Sequence, residues 1–284
     1  MARGLNIVHL AGTLTQAPEM KYTAGGLAIL ELNLGGNDHV VGSDGQARDL
    51  AWYHRVTVFG KQAEYLADQL DTGTPVFVDG RLNYRTWEDQ NGQKRSALGI
   101  NAIRVEALQA GPRKEPTVLD ARGQERLTNA LNQVTIIGNL IKDAELRYTP
   151  SGDAVTRFVV AVNEQYRDRN NQDQESVHFV EVNVWRDLAE GTAELGKGDP
   201  VMVMGRLVTD NWTDKDGNRN YKDKLEGMRV EYLTRGPGGG GTGTRPSPST
   251  ARDAQRGQDT SRRAPANSAL DIDEEFPPEE DLPF

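Results

Sequence analysis

Aromatic residues alternate with valines along one stretch of the chain, and this spacing decides what chemistry the rings can do. Between residues 179 and 185, Val180, Val182 and Val184 share one parity, whereas Phe179 and Trp185 share the other. Because successive side chains of a β-strand point to opposite faces, the valines are predicted to form a core and the rings to face away from it. Rings on an open face can stack on nucleobases, at about 1–3 kcal/mol for each base.

Two tryptophans precede strong turn signals. Trp87 is followed by Asn91-Gly92 and Trp212 by Asp216-Gly217, dipeptides that favour tight β-hairpins. A single ring could instead fill the core or the rim of the fold, but tryptophans among polar residues on hairpin arms favour contact with a ligand. The candidate stacking residues are Tyr22, Tyr53, Phe59, Tyr84, Trp87, Tyr148, Phe179, Trp185, Trp212 and Tyr221.

Basic residues accompany these rings. Lys21-Tyr22 and Arg147-Tyr148 repeat a basic–aromatic pair, and Arg55 has the same parity as Tyr53. Cations beside stacking rings could contact the phosphates of a single strand, although charge runs also occur on ordinary solvated surfaces. The candidate phosphate contacts are Lys21, Arg55, Arg81, Arg85, Lys94, Arg95, Arg147, Arg167, Arg169, Arg206, Lys215, Arg219, Lys222 and Lys224.

Catalytic and metal chemistry has no comparable support. The chain has no cysteine, which excludes thiolate ligands, iron–sulfur clusters and cysteine nucleophiles. Its four histidines are scattered, without the helical spacing of a zinc site. The glycine run 238–243 lacks the Lys-Ser/Thr of a phosphate-binding loop. We therefore expect a non-enzymatic protein with no catalytic residue, no metal and no cofactor.

Charge and hydropathy limit the class of protein further. The 284 residues carry a formal net charge of −9. Residues 1–235 hold 28 basic and 33 acidic residues, so any anion-binding surface must be local. No apolar run approaches the roughly 20 residues that span a bilayer, and the first residues lack the apolar region of a secretion signal. We therefore expect a cytoplasmic protein with no membrane partner.

The chain also repeats itself at a long interval. Leu10–Leu14 matches Ile136–Leu140 at an offset of 126, and Gly80–Leu82 matches Gly205–Leu207 at an offset of 125. One register held over about 100 residues with a single gap indicates two tandem copies of one domain.

Each copy is predicted to contain three strands, a short helix and two strands joined by a long hairpin. Leucines and alanines at helical spacing predict a helix over residues 61–70, with a counterpart over 188–195. After each helix a strand is predicted, over Pro75–Leu82 and Pro200–Val208, and after each hairpin a final strand is predicted, at Ile103–Val105 and Met228–Val230. This order is that of the OB-fold, a five-stranded Greek-key barrel, so the predicted class is all-β with two OB-folds.

Changes of composition give the domain boundaries. Two prolines disfavour regular structure between the copies, and the Gly/Pro/Ser-rich segment after residue 235 has too little apolar surface to offset the entropy of ordering. The last fourteen residues contain seven acids and no base. The predicted parts are OB-fold 1 (1–110), a linker (111–127), OB-fold 2 (128–235), a disordered linker (236–270) and an acidic partner-binding tail (271–284).

Several of these motifs resemble the bacterial single-stranded DNA-binding protein family, in its form with two OB-folds per chain. The motifs are Tyr53–Lys61, Asn132–Leu140, Asp143–Gly152, Gly205–Leu207 and Asp281–Phe284. The resemblance implies that bases stack on Tyr53, Phe59, Trp87, Phe179, Trp185 and Trp212. The family usually has tryptophan at positions 53 and 179. Trp52 is adjacent but has the inward parity of His54 and Val56.

The resemblance also implies partners. It implies sequence-tolerant binding of single-stranded DNA in replication, recombination and repair, near the nucleoid. It implies a homodimer with four OB-folds, and docking of replication and repair proteins on the tip formed by Asp281, Leu282, Pro283 and Phe284. Two other functions stay open. One is an adaptor whose barrels bind proteins, because residues 1–235 carry more acids than bases. The other is an RNA-binding module, because no residue of the sequence can be assigned to a 2′-hydroxyl and so used to distinguish RNA from DNA.

Overall fold

The computed structural model describes residues 4–41, 45–88, 92, 94–108, 117–167, 172–213 and 219–234. The first copy contains β1 (Leu5–Leu14), β2 (Glu19–Tyr22), β3 (Ala28–Val41), β4 (Ala47–Phe59), α1 (Lys61–Ala67), β5 (Pro75–Glu88) and β6 (Lys94–Ala107). The segment between the copies contains β7 (Thr117–Leu119) and β8 (Glu125–Leu127). The second copy contains β9 (Leu131–Leu140), β10 (Glu145–Tyr148), β11 (Ala154–Arg167), β12 (Asp173–Trp185), α2 (Asp187–Thr192), β13 (Pro200–Thr213) and β14 (Arg219–Tyr232).

The strands of each copy close into a barrel. In the first copy, β1 pairs with β3 and β5, β3 pairs with β4, and β6 pairs with β5 and, in parallel, with β4. In the second copy, β9, β11, β12, β14 and β13 form the same ring. This closed order is the OB-fold. The predicted all-β class, with two tandem OB-folds and one short helix each, is therefore confirmed.

Valines on one parity fill each barrel, as the alternation predicts. Val56 and Val58 of β4 and Val180, Val182 and Val184 of β12 have no solvent exposure. Burying each such side chain stabilises the fold by about 1.5–3 kcal/mol. The opposite parity of the same strands is consequently available for other roles.

Both helices are shorter than predicted. Neither helix of the described residues is long and apolar enough to cross a membrane. Helix α1 ends at Ala67 and α2 at Thr192. Leu70 and Leu195 are nevertheless buried after the last helical residue. The predicted helices therefore included apolar residues of the turns that follow.

The two barrels share one continuous sheet. Strands β1 and β9 pair antiparallel, with Leu5 opposite Ile137 and Ala11 opposite Leu131. The backbone hydrogen bonds of this pairing fix the orientation of the two barrels.

The segment between the copies is more ordered than the predicted linker. Strands β7 and β8 form a hairpin, and β8 pairs in parallel with β3 at Gly36 and Leu127. Leu127 is buried, which attaches the hairpin to the first barrel.

Candidate nucleic-acid interface

Four of the candidate stacking rings lie exposed on the outside of the barrels. Tyr53 and Phe59 are on β4, Trp87 is on β5 and Trp185 is on β12. Each is between 38 and 42 % exposed. By contrast, Trp52 is 6 % exposed and stacks on the His54 ring, as its inward parity predicts. Strand parity therefore separates the exposed rings from the core ring.

Two further candidate rings are more exposed still. Tyr22 on β2 and Tyr148 on β10 are each 62 % exposed. Their basic neighbours pair with carboxylates: Lys21 with Glu19 and Glu31, and Arg147 with Glu145. Surface pairs of this kind contribute little, so a phosphate can replace the carboxylate at low cost.

Tyr84 and Phe179 form a contact between the barrels. Their rings meet edge to face with centroids 5.5 Å apart. The Tyr84 backbone N–H donates to His178 Nδ1 at 3.1 Å. Both rings are half-buried, as is Tyr221 on β14, so these three candidates offer less open surface than the exposed rings.

The basic candidates of the first barrel lie near its rings. Arg85 on β5 is exposed, whereas Arg55 on β4 and Arg95 on β6 are half-buried. Arg95 is directly opposite Trp87 in the β5–β6 register. The hairpin of the first barrel thus places a cation beside a stacking ring.

Arg81 and Arg206 occupy equivalent positions in the two copies, and each pairs with a carboxylate of the other barrel. Arg81 lies 3.5 Å from Glu164 of the second barrel, and Arg206 lies 3.5 Å from Asp38 of the first. Arg206 also lies 2.7 Å from Glu226 and is buried. Burial raises the pKa of Asp38, and the Arg206 charge opposes this rise. The predicted phosphate contact does not fit Arg206, because its guanidinium is enclosed by carboxylates.

Lys222 and Lys224 surround a buried carboxylate. Glu181 accepts Lys222 at 2.8 Å and Arg157 at 2.7 Å, with Lys224 at 3.4 Å. Lys224 also pairs with Asp210. Burial acts to raise the pKa of Glu181, but the Lys222 hydrogen bond and the three positive charges hold that pKa below its ordinary value. The sequence did not predict that these lysines are partly neutralised within the protein.

Some candidates cannot be placed. Trp212, Lys94, Arg167 and Arg219 belong to strands, but their side chains lie outside what the structure describes. The remaining candidates, Arg169, Lys215, Asp281, Leu282, Pro283 and Phe284, lie outside the described ranges altogether.

The hairpin between the copies adds residues that sequence reasoning missed. Tyr53 Oη donates to Asp120 Oδ2 at 2.7 Å. The Arg126 guanidinium lies over the Tyr53 ring, 5.8 Å from its centroid. The only local signal for this hairpin was Gly123, which adopts a φ of 78° in its turn.

His54 couples the barrels and gives a pH-dependent prediction. The buried ring lies with Nε2 3.1 Å from the Leu207 carbonyl of the second barrel. Burial lowers the pKa of His54 to about 4, and the Leu207 carbonyl opposes this only in part.

We expect His54 to make stability fall as the pH is lowered. An unfolded histidine titrates near about pH 6.5, so unfolding takes up a proton between about pH 6.5 and 4, and roughly 3 kcal/mol of stability is lost across that window. Urea unfolding as a function of pH measures the slope, with His54→Gln as the comparison. An equal slope in the variant would show that His54 does not titrate on unfolding.

The chain forms two closed barrels, and exposed aromatic rings lie on the strand faces that point away from each core. These features define a protein with two tandem OB-folds and a surface suited to binding a ligand. The model of the single-strand binding protein family matches residues 5–108 and 131–233, and the chain belongs to that family, in its form with two OB-folds. Since proteins of this family bind DNA and are non-enzymatic, the chain is not an enzyme.

Named relatives cover the whole chain. The single-stranded DNA-binding protein of Deinococcus radiodurans is 46 % identical over 304 residues, covering 100 % of both chains. That of Thermus aquaticus is 48 % identical over 287 residues, also covering 100 % of both. The crystal structure of the wild-type Thermus aquaticus protein matches with a TM-score of 0.65 and 44 % identity, over 84 % of this chain and 98 % of that chain.

Proposed function

We propose that this protein binds single-stranded DNA with little sequence preference, by stacking bases on exposed rings and pairing phosphates with nearby cations. The observation that carries the proposal is the exposure of Tyr53, Phe59, Trp87 and Trp185 on the parity opposite the core. Every base has a face that can stack, so such a surface does not select sequence. The relatives named as single-stranded DNA-binding proteins support the same function.

The test is a titration with oligo-dT monitored by tryptophan fluorescence. We expect quenching, and an affinity that falls linearly with salt on a logarithmic scale as counterions are released. Matched duplex DNA and single-stranded RNA are the controls. An absence of quenching at low salt contradicts the proposal and favours a protein adaptor, whereas tighter binding of RNA than DNA favours an RNA-binding module.

We also propose that the chain forms a homodimer with four OB-folds. The six strands β6, β5, β1, β9, β13 and β14 are consecutive in one sheet. Its outer parity carries half-buried apolar residues on both sides of the β1–β9 pairing, including Ile7, Phe77, Ile137 and Met202. An apolar face of this kind, repeated about a local two-fold axis, suits a symmetric interface.

Charges on this face should separate the dimer. We expect the double variant Ile7→Asp, Met202→Asp to sediment as the 31.3 kDa chain, whereas the unsubstituted protein should sediment at twice that mass. Tyr65→Asp is the control, because Tyr65 is an exposed ring on α1, away from this face. A variant that still sediments as a dimer would place the interface elsewhere.

The C-terminal tip is proposed to recruit replication, recombination and repair proteins near the nucleoid of the cytoplasm. Because they belong to the same chain, Leu282, Pro283 and Phe284 stay at high effective concentration near the bound strand, and the acids around them steer encounters with basic surfaces. Deleting residues 281–284 should abolish capture of purified replication and repair enzymes and leave oligo-dT binding intact. Loss of both activities together would contradict a separate role for the tip.

A further inference from the structure

The hairpin formed by β7 and β8 fixes one stacking ring of the first barrel. Asp120 joins the two: its Oδ2 accepts the Tyr53 hydroxyl at 2.7 Å, while its Oδ1 accepts the backbone N–H groups of Arg122 and Gln124 at 2.8 Å each. A single carboxylate therefore orders the turn of the hairpin and the edge of the ring.

The side chain of Arg126 packs against Gly35, in a space that a Cβ at residue 35 would occupy. A Cβ on Gly35 would lie 2.8 Å from the Thr15 methyl group, 3.1 Å from Arg126 Cγ and 3.4 Å from Tyr53 Cδ1. Gly35 is opposite Tyr53 in the β3–β4 register. The bare backbone at this residue lets the Arg126 stem and the Tyr53 ring pack side by side.

The described residues of the second barrel do not repeat this arrangement. At the equivalent pair of positions, Ala161 is opposite Phe179, so a Cβ occupies the space and the ring has no hydroxyl. Phe179 contacts Tyr84 instead. The hairpin thus makes the ring at position 53 different from its counterpart, although the two copies share one fold.

We propose that the hairpin completes a nucleotide subsite on the first barrel, in which a base stacks on the open part of the Tyr53 ring and Arg126 contacts the adjacent phosphate. This inference rests on the proposed binding of single-stranded DNA. Tyr53 remains 42 % exposed although Arg126 lies over it, so ring surface is left for a base. The guanidinium over the ring adds a positive charge next to that surface. Asp120 is a positioning residue, because it holds the ring in one orientation before the strand arrives.

The test compares two hairpin arginines in the full-length protein. Arg126→Gln and Arg122→Gln remove the same charge from the same hairpin, but only Arg126 lies over the Tyr53 ring among the described contacts. Binding of labelled oligo-dT is measured by anisotropy at several salt concentrations. We expect Arg126→Gln to weaken binding about fivefold and to reduce the salt slope by about 0.7, the value for one phosphate contact on a single strand. Arg122→Gln should stay within about twofold of the unsubstituted protein.

Tyr53→Phe tests the link to Asp120 without removing the ring. We expect it to weaken oligo-dT binding by about two- to threefold, because the ring loses its fixed orientation. Thermal unfolding of each variant establishes that the barrel and hairpin are intact.

Three results would overturn the subsite. Equal effects of the two arginine variants would show that the hairpin attracts DNA only through its overall positive charge and that Arg126 makes no specific contact. Tighter binding by Arg126→Gln would make the hairpin a shield over the ring. Unchanged binding by both Arg126→Gln and Tyr53→Phe would remove the hairpin from the interface. If the unsubstituted protein itself does not bind oligo-dT, the proposed function fails instead.

Discussion

Replacing Trp185 with alanine is expected to weaken binding of oligo-dT by roughly 5- to 160-fold, because each base–aromatic stack contributes about 1–3 kcal/mol. Trp185 ends β12 and is 41 % exposed. The substitution therefore removes a binding surface and leaves the valine core unchanged. Trp87→Ala should have an effect of the same order through the first barrel. Anisotropy of a labelled oligonucleotide measures both, since it does not depend on tryptophan fluorescence.

Two matched substitutions identify stacking as the cause. Tyr65→Ala removes an exposed ring from α1, outside the proposed interface, and should leave affinity unchanged. Trp52→Ala removes a buried ring that stacks on His54, and should lower the urea midpoint. If Trp185→Ala binds as well as Tyr65→Ala, or if it loses stability as Trp52→Ala does, the stacking model is wrong for this ring.

Strand alternation predicted the two faces of each barrel because one parity must be apolar. The parity of Val180, Val182 and Val184 correctly assigns them to the core. The same parity rule correctly buries Trp52 and exposes Tyr53, two adjacent aromatic residues. The order of strands and helix, read twice in one chain, was sufficient for the OB-fold.

Contacts between distant strands could not be predicted in the same way. Arg81 and Arg206 occur in the same Gly-Arg-Leu motif, and nothing local shows that one is enclosed and the other half-exposed. Glu181 and Lys222 meet because β12 and β14 pair in parallel to close the barrel. Proximity in sequence to aromatic residues does not show which carboxylates a cation meets in the fold, so Lys222, Lys224 and Arg206 were all predicted to contact phosphate.

The hairpin was missed for a different reason. Its strands have three residues each, too few to show alternation. It also lies between the copies, where the internal repeat offers no second example. Only the tertiary structure shows that Asp120 reaches Tyr53, 67 positions earlier in the chain.

Arg206 gives the largest expected effect on stability. Its guanidinium lies 2.7 Å from Glu226 and 3.5 Å from Asp38, with only 10 % of the side chain exposed. Arg206→Ala leaves two carboxylates without their cation in a poorly solvated space, and breaking a buried pair in this way costs about 3–5 kcal/mol. We expect a large fall in the urea midpoint, measured at fixed protein concentration.

Arg81→Ala is the internal control, because Arg81 makes the equivalent contact with Glu164 across the barrels. Its side chain is 48 % exposed, so solvent screens the pair and the expected cost is at most about 1 kcal/mol. The salt slope of oligo-dT binding distinguishes an arginine that stabilises the fold from one that contacts a phosphate. If Arg206 stabilises the fold from its place between carboxylates, Arg206→Ala lowers the urea midpoint and leaves the salt slope unchanged. A slope lowered by about 0.7 at an unchanged midpoint would instead restore Arg206 to the phosphate surface that the sequence predicted.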